Sequence, residues 1–237
     1  MPSRREKVAA HAEHLLDAFL RLRATYAVLD PLLFNQTLAA RWRTGPAAHG
    51  RHILLNTVLY SCVLEASKLT LDKDPRTPSL QSLDTALDDA PFRAELREAY
   101  AVLNLYIEED DPEVLRLLRE SEKRDDEKRR QDFDALVKRF RAGWRFLRDS
   151  PTLKAFEILR DKVIAHNEIR HDGSTYRTFD VASLDLKFGD LRAVVQALEP
   201  IVDSANLLFR AASFDFEESD QQLRSAGEQF WAVVRDG

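Results

Sequence analysis

The sequence predicts an all-α fold, which its glycine content, apolar periodicity and helix-start signals all support. Only seven of the 237 residues are glycine, which suits long helices and leaves few of the turns that a β fold requires. Apolar residues recur every three to four positions in long segments. Three dipeptides place an N-cap residue before a proline at the first helical position: Thr77-Pro78, Asp111-Pro112 and Ser150-Pro151.

These signals together predict nine helices and one irregular stretch. We expect helices near residues 4–28, 32–42, 48–70, 78–88, 91–107, 112–148, 151–166, 189–213 and 217–234. Pro200 lies inside the eighth segment and is expected to kink or break it. Residues 167–188 look like a helix end followed by a loop. We therefore expect a helical domain over 1–214, with 112–148 as a long charged extension, and a C-terminal helix in 215–237 that packs on it.

Three segments have the spacing of core helices. In the first segment the apolar positions are Val8, Leu15, Phe19 and Leu22. In the sixth segment they are Phe133, Leu136, Phe140, Trp144 and Leu147. The third segment is the most apolar, so we expect it to be the central core helix. Its helically spaced positions are Ile53, Leu54, Thr57, Val58, Ser61, Leu64, Glu65 and Lys68.

Composition excludes several classes of protein. No apolar run approaches the roughly 18 residues of a membrane span, and no signal-type stretch follows the N-terminus, so we expect a cytoplasmic protein without membrane contact. The single cysteine, Cys62, lies in an apolar run and is expected to be buried. No phosphate-cradling glycine-rich loop is present, which excludes an NTPase of that type. His11 with His14 and His49 with His52 are interpreted as exposed helix surface, and we expect no metal or cofactor.

Charge is unevenly distributed along the chain. The net charge of −5 argues against a broadly basic nucleic-acid coat, yet residues 116–148 contain twelve Lys/Arg against seven Asp/Glu. A local contact with a phosphate backbone and a solvated helix face are both compatible with this stretch. Within it, residues 122–130 have no apolar side chain, so they are expected to project into solvent or to pair loosely with a neighbour.

Residues 160–166, Arg-Asp-Lys-Val-Ile-Ala-His, contain the most informative pair of side chains. Arg160 is always charged, and His166 titrates near neutral pH. In an α-helix the two residues would be about 9 Å apart along the axis and about 120° apart around it. One chain alone would therefore make a poor site, whereas two copies facing each other across a dimer would make a better one. A histidine that caps a helix end, with Asn167 after it, is the structural alternative.

These side chains suit the cleavage of RNA by its own 2′-hydroxyl. That reaction needs a base to take the hydroxyl proton, an acid to protonate the leaving oxygen and a cation over the charge that develops on phosphorus. Histidine fits the acid and base roles, and arginine binds phosphate oxygens in a bidentate fashion. Asp161 could orient the arginine, and no metal is required.

Two blocks resemble a known family. Residues 159–167, with Arg, a polar residue and then His, resemble the signature of the HEPN superfamily. Upstream, residues 64–72 followed by Pro78-Ser79-Leu80 are similar to the AbiU-like abortive-infection branch of that superfamily. The resemblance spans about residues 10–210.

The resemblance implies a helical bundle that dimerises so that two motifs line one cleft. It implies a metal-independent endoribonuclease, often a toxin or phage-defence effector, with Arg160 and His166 as the catalytic pair and Asp161 as the polar residue after Arg. Candidates for further contact with RNA are Lys162, Asn167, Arg170 and His171. For the last two of these, a solvated loop is the alternative.

The resemblance also bears on partners. An antitoxin partner is expected of a toxin of this kind. Some relatives carry a Tyr two residues after the His that a partner modifies, but this chain has Glu168 there, so a modifying antitoxin would lack its acceptor. The alternative function is a non-catalytic, dimeric HEPN-like scaffold that binds a partner protein or RNA.

Overall fold

The protein is all-α, as predicted, and its computed structural model describes residues 3–42, 44–74, 76–102, 111–165, 169–171, 173 and 175–233. Nine α-helices follow one another in this part of the chain: α1 (Arg4–Phe34), α2 (Gln36–Arg41), α3 (Gly45–Leu71), α4 (Leu80–Ala86), α5 (Ala90–Ala101), α6 (Pro112–Arg148), α7 (Pro151–Leu159), α8 (Phe188–Arg210) and α9 (Phe216–Val233). A π-helix over Arg160–Ala165 continues α7. Two short strands, β1 (Ile169–His171) and β2 (Tyr176–Thr178), and a 3₁₀ helix (Val181–Leu184) precede α8.

Helices α1 and α8 form the centre of the bundle. Helix α1 packs against α3, α8 and α9, and α8 also packs against α6. The apolar positions predicted for the first segment, Val8, Leu15, Phe19 and Leu22, are all buried. The start of α1 is fixed by a capping box, because Ser3 Oγ accepts from the Glu6 N–H and the Glu6 carboxylate accepts from the Ser3 N–H. The central position therefore belongs to α1 and α8, and the prediction that residues 48–70 form the central core helix is wrong.

Two prolines lie inside helices that continue past them. The sequence predicts a helix end near residue 28 and a kink or break at Pro200, but α1 runs through Pro31 to Phe34, and α8 is not broken and runs through Pro200 to Arg210. A proline removes one backbone donor, and packing of the helix on both sides of it can offset that loss. On α8 the flanking residues Leu198 and Ile201 are both buried.

Helix α3 buries a different face from the one that its sequence predicts. Ile53 and Leu54 are 53% and 39% exposed, and Thr57 and Ser61 are also exposed. The buried residues lie on the opposite side of the helix: Leu55, Cys62, Val63, Ala66, Ser67, Leu69 and Thr70. A helix with apolar residues around most of its circumference offers two stripes of helical spacing, and its neighbours decide which one is covered.

Helix α6 has the bounds that the sequence predicts and is buried only toward its C-terminal end. Phe133, Phe140, Trp144 and Leu147 enter the core, and Leu136 packs against it half-buried. The charged run 122–130 pairs with α5: Arg130 binds the Glu98 carboxylate at 2.8 Å, and Arg129 Nε donates to the Ala101 carbonyl at 2.5 Å. The hydrogen bonds from Arg130 hold the pKa of Glu98 below its usual value.

The C-terminal helix α9 is anchored on α1 by specific contacts. Arg23, only 3% exposed, donates to the Phe216 carbonyl at 3.2 Å and pairs with Glu199 of α8 and Asp220 of α9. Near the other end of α9, Trp231 Nε1 donates to the Val28 carbonyl at 2.8 Å. The sequence predicts a helix in 215–237 that packs on the bundle, and α9 (Phe216–Val233) packs on α1.

Trp231 also closes a second, smaller apolar cluster. Its members are Leu32, Leu38 and Trp231, with Val28 and Trp42 against them. The rings of Trp42 and Trp231 meet edge to face with their centroids 5.3 Å apart. None of the helices in the described part of the chain has both the length and the apolar character that a membrane span needs.

Candidate functional site

The candidate site follows α7, a short helix with strong local start signals. Ser150 Oγ accepts from the Leu153 N–H at 3.2 Å, and Pro151 occupies the first turn. Leu153, Phe156 and Leu159 are buried on one stripe. This stripe holds α7 against α3, α6 and α8, and so fixes where the chain enters the motif.

The motif itself is a π-helix over Arg160–Ala165, where the sequence predicts a continuous α-helix to residue 166. In a π-helix the hydrogen bonds join residues five apart instead of four, so the turn is wider than an α-turn. The separation of about 120° calculated for α-helical spacing therefore does not apply to this stretch. Val163 and Ile164 remain packed against the core, and the π-helix contacts α3. Single π-turns inside helices occur frequently at functional sites.

Arg160 and Asp161 are in direct contact at the start of this π-helix. Arg160 Nε donates to Asp161 Oδ1 at 2.7 Å, and the two side chains are 24% and 46% exposed. The guanidinium is thus partly shielded from water but still reaches the surface. A carboxylate bonded at Nε fixes the plane of the guanidinium, which is the orienting role that the sequence suggests for Asp161.

The other predicted site residues are distributed over the π-helix and the segment after it. Lys162 lies half-buried in the π-helix. His166 and Asn167 lie outside the described residues, so their predicted roles remain predictions. Arg170 belongs to β1, where its backbone is opposite Arg177 of β2.

The segment that looks like a loop contains an antiparallel hairpin. In it, His171 pairs with Tyr176, and their rings meet edge to face with centroids 5.0 Å apart. His171 Nδ1 accepts from the Gly173 N–H at 3.2 Å. The prediction of an irregular stretch is wrong for β1 and β2, because cross-strand pairing with an aromatic contact stabilises a ribbon that has no long apolar run.

Tyr176 is a further candidate residue, which is not among those predicted from the sequence. It is 74% exposed, so its ring is available beside His171 for stacking on a base. The available signal was the run Tyr176-Arg177-Thr178, rich in strand-forming residues, after the turn residue Gly173.

The basic stretch of α6 is partly neutralised by the bundle. Arg141 binds Asp84 at 3.0 Å and Asp88 at 2.5 Å, and Arg139 Nε donates to Ser204 Oγ at 3.0 Å. Together with the pairing of Arg130, these contacts make the C-terminal half of the stretch a structural surface. The exposed cations of the N-terminal half, among them Arg116, Arg119 and Lys123, lie on the part of α6 that projects from the bundle.

A polar cavity of about 430 Å³ lies elsewhere, between α1, α8 and α9. Arg192 of its lining binds Asp30 at 2.7 Å and Tyr26 Oη at 3.0 Å. Burial, followed by the hydrogen bond to Asp30, raises the pKa of Tyr26. Arg192, Asp30 and Tyr26 are thus engaged with one another, and no residue of the π-helix lines this cavity. In the described part of the chain, no three His, Cys, Asp or Glu side chains are grouped as a metal site would need.

The described residues form an all-α bundle in which a π-helix with Arg160 and Asp161 follows a core-packed helix, and this architecture is consistent with a HEPN-like bundle. The HEPN AbiU2 family model matches residues 5–230, and the chain belongs to that family. It is an HEPN protein of the abortive-infection type. Comparisons with curated proteins and with solved structures find no match.

Proposed function

We propose that this HEPN protein is a metal-independent endoribonuclease that acts as a homodimer in phage defence. The observation that best supports the proposal is the partly shielded Arg160, oriented by Asp161 at the start of a π-helix, in a chain of the AbiU2 family. A guanidinium in this setting suits a phosphate, because its bidentate hydrogen bonding strengthens where water is partly excluded.

The proposed reaction breaks one phosphodiester bond by internal transesterification. One His166 takes the proton of the 2′-hydroxyl, and the oxygen then attacks phosphorus. Arg160 stabilises the negative charge that develops on the phosphorane. The 5′-oxygen leaves with a proton from a second acid, for which the partner copy's motif supplies a second histidine. The products are a 2′,3′-cyclic phosphate and a 5′-hydroxyl.

RNA binding is proposed on two parts of the surface. The exposed ring of Tyr176, beside His171, would stack on a base, and Lys162 and Arg170 would approach the phosphates. The exposed cations in the N-terminal half of α6 would bind RNA phosphates that lie farther from the cleavage site. Because cations bind phosphates in this arrangement, we expect the affinity for RNA to fall as the salt concentration rises.

The first test is cleavage of single-stranded RNA in the presence of EDTA. We expect His166→Ala and Arg160→Ala each to lower the cleavage rate at least about 100-fold, as removal of a group that stabilises the transition state does. Arg160 is partly exposed and its ion pair is with the next residue, Asp161. Arg160→Ala should therefore cost less than about 1 kcal/mol of stability.

Arg76→Ala is the matched control. Arg76 also pairs with a carboxylate close in sequence, Asp74, at 2.7 Å, but it lies in the loop after α3. It should leave cleavage unchanged. Cleavage that requires a divalent metal, or full activity in His166→Ala, would refute the mechanism.

The second candidate function is a non-catalytic scaffold, and the exposed apolar residues of α6 favour it. Val114, Leu117 and Leu118 are 38%, 54% and 38% exposed at helical spacing, a pattern that suits a partner helix. On this hypothesis Arg160→Ala unfolds or monomerises the protein, and no nuclease activity is found. Expression in a bacterial host separates the two functions, because toxicity relieved by Arg160→Ala or His166→Ala favours the nuclease.

A further inference from the structure

The outer side of α6 near its C-terminal end combines positive charge with an exposed aromatic ring. Residues 135–148 contain five Lys/Arg and no Asp/Glu. Phe146 in this stretch is 80% exposed, more than any other large apolar side chain in the described part of the chain. The fold of the described residues therefore gains almost nothing from burying this ring, and the ring is open to a ligand.

The exposed residues between Leu136 and Arg148 fall on one stripe, which we call the α6 face. They are Lys138, Arg139, Ala142, Arg145 and Phe146. At 100° per residue these positions lie within an arc of about 120°, and they span about 12 Å along the helix. Ala142 lies at the middle of the arc, so the three cations and the ring are arranged around a small side chain.

Two cations of the α6 face have no structural role in the bundle. Lys138 and Arg145 are exposed, and neither forms a salt bridge with a described residue. Arg130 and Arg141 of the same helix, in contrast, are bound to carboxylates of the bundle. Arg139 donates one hydrogen bond to α8, but its side chain is still 57% exposed. The α6 face therefore has cations that are available to an anionic ligand.

The carboxylates that flank the α6 face along the chain are already paired. On one side, Arg97 Nε donates to Asp134 at 3.1 Å. On the other side, Arg148 Nε donates to Asp149 at 3.0 Å. Positive charge is thus in excess on this part of the surface, which attracts a polyanion such as a nucleic-acid backbone.

The α6 face ends beside the start of α7, the helix that leads to the motif. The hydrogen bond from Arg148 lowers the pKa of Asp149, which follows α6. The charges of Lys154 and Arg145 lower it further, so both of these cations lie near this carboxylate. Lys154 is exposed on α7 and precedes Arg160 by six residues, about 9 Å along a helix. A strand that lies on the α6 face and continues past Lys154 would run toward the motif.

We propose that the α6 face binds an unpaired segment of the RNA substrate, with one base stacked on Phe146 and neighbouring phosphates bound by Lys138 and Arg145. Aromatic rings and cations on one surface are the combination with which proteins bind single strands. A duplex offers no free base to the ring, and a partner helix would need a longer apolar stripe than one phenylalanine and one alanine. The inference rests on the proposed nuclease and identifies where an unpaired part of its substrate binds.

Binding of a fluorescent, single-stranded 2′-O-methyl RNA to the full chain tests the inference. This probe lacks the attacking 2′-hydroxyl, so it stays intact during the measurement. We expect Phe146→Ala to raise Kd about 10-fold, typical of the loss of one stacked base. Phe146→Trp should keep the wild-type Kd, whereas Phe146→Leu, which is apolar but has no ring, should bind as weakly as Phe146→Ala. Because Phe146 is exposed, all three variants should unfold at the wild-type temperature.

The salt dependence of binding tests the two cations. Lys138→Gln combined with Arg145→Gln should lower the slope of log Kd against log salt concentration by about 1.4, because each phosphate contact on a single strand contributes about 0.7. Arg224→Gln is the control for charge, since Arg224 is exposed among carboxylates of α9, and it should leave the slope unchanged. Phe230→Ala is the control for the ring, since Phe230 is 53% exposed on α9, and it should leave Kd unchanged.

Three results would overturn the inference. The first is wild-type affinity in Phe146→Ala, and the second is wild-type affinity in Phe146→Leu. The third is a change in the oligomeric state of Phe146→Ala, measured by light scattering without RNA, because it would assign the α6 face to a protein contact.

Cleavage of unmodified RNA by the same proteins separates this inference from the proposed function. If binding of the probe depends on Phe146 but unmodified RNA is not cleaved, the α6 face stands and the nuclease fails. If unmodified RNA is cleaved and Phe146→Ala binds and cleaves it as the wild type does, the nuclease stands and the α6 face fails.

Discussion

Gly227→Ala tests how α9 is held on the bundle. Pro31 has no N–H, so it leaves the Ala27 carbonyl without its helical donor four residues on. Gly227 of α9 covers this carbonyl so closely that an added Cβ would lie 2.2 Å from the Ala27 oxygen and 3.0 Å from its carbon. Pro31 thus leaves the Ala27 carbonyl without a donor, and Gly227 allows α9 to pack closely on that carbonyl.

The cost of the added methyl follows from that distance. Restoring an ordinary contact requires the two helices to separate by about 1 Å, and the obstacle is backbone, so no rotamer change relieves it. Separation would also lengthen the hydrogen bond from Trp231 to the Val28 carbonyl, now 2.8 Å. We expect a loss of about 2–3 kcal/mol, typical of overpacking. In a chain of this size that corresponds to a fall in Tm of roughly 5–10 °C.

Thermal unfolding and hydrogen exchange of the α9 amides measure the effect. Gly189→Ala is the control, because no atom lies within 4 Å of the added methyl there and the glycine is in the first turn of α8. It should change the stability by less than about 0.5 kcal/mol. Unchanged Tm and unchanged protection of α9 in Gly227→Ala would refute the argument.

Two further predictions concern single ionisable groups. Burial, with a smaller effect of Glu65, raises the pKa of the Cys62 thiol to about 12. A thiol reagent at pH 8 should therefore label Cys62 only after denaturation. Rapid labelling of the native chain would contradict this. Burial raises the pKa of Asp203, and the nearby charge of Arg139 lowers it by a smaller amount. The ionised carboxylate therefore destabilises the folded state at pH values above the raised pKa. Asp203→Asn should therefore gain about 0.5 kcal/mol at pH 7, a gain that disappears as the pH falls through the raised pKa. Urea unfolding at both ends of that range measures it, and an equal gain at low pH would contradict the assignment.

The candidate site could be predicted from sequence only in part. The residue types at Arg160 and Asp161 and the family motif identify the segment, because spacing and chemistry are local properties. The π-helix and the contact of Tyr176 with His171 could not be found in the same way. The π-helix depends on packing against α3, which is distant in sequence. The ring contact depends on the pairing of two three-residue strands, whose sequence pattern is too short to give a strong signal.

For the fold, the sequence by itself determined where most helices lie, because capping residues and apolar spacing act within a few turns. The bounds of α6 and the buried seam from Phe133 to Leu147 follow from these signals. Only the tertiary structure decided that α1 continues through Pro31 and that α8 is not broken at Pro200, since the packing that offsets a lost hydrogen bond comes from distant segments. It also decided which side of α3 is buried. Both stripes of that helix are apolar, and the contacts of α1, α4, α7 and α8 cover one of them and leave Ile53 and Leu54 exposed.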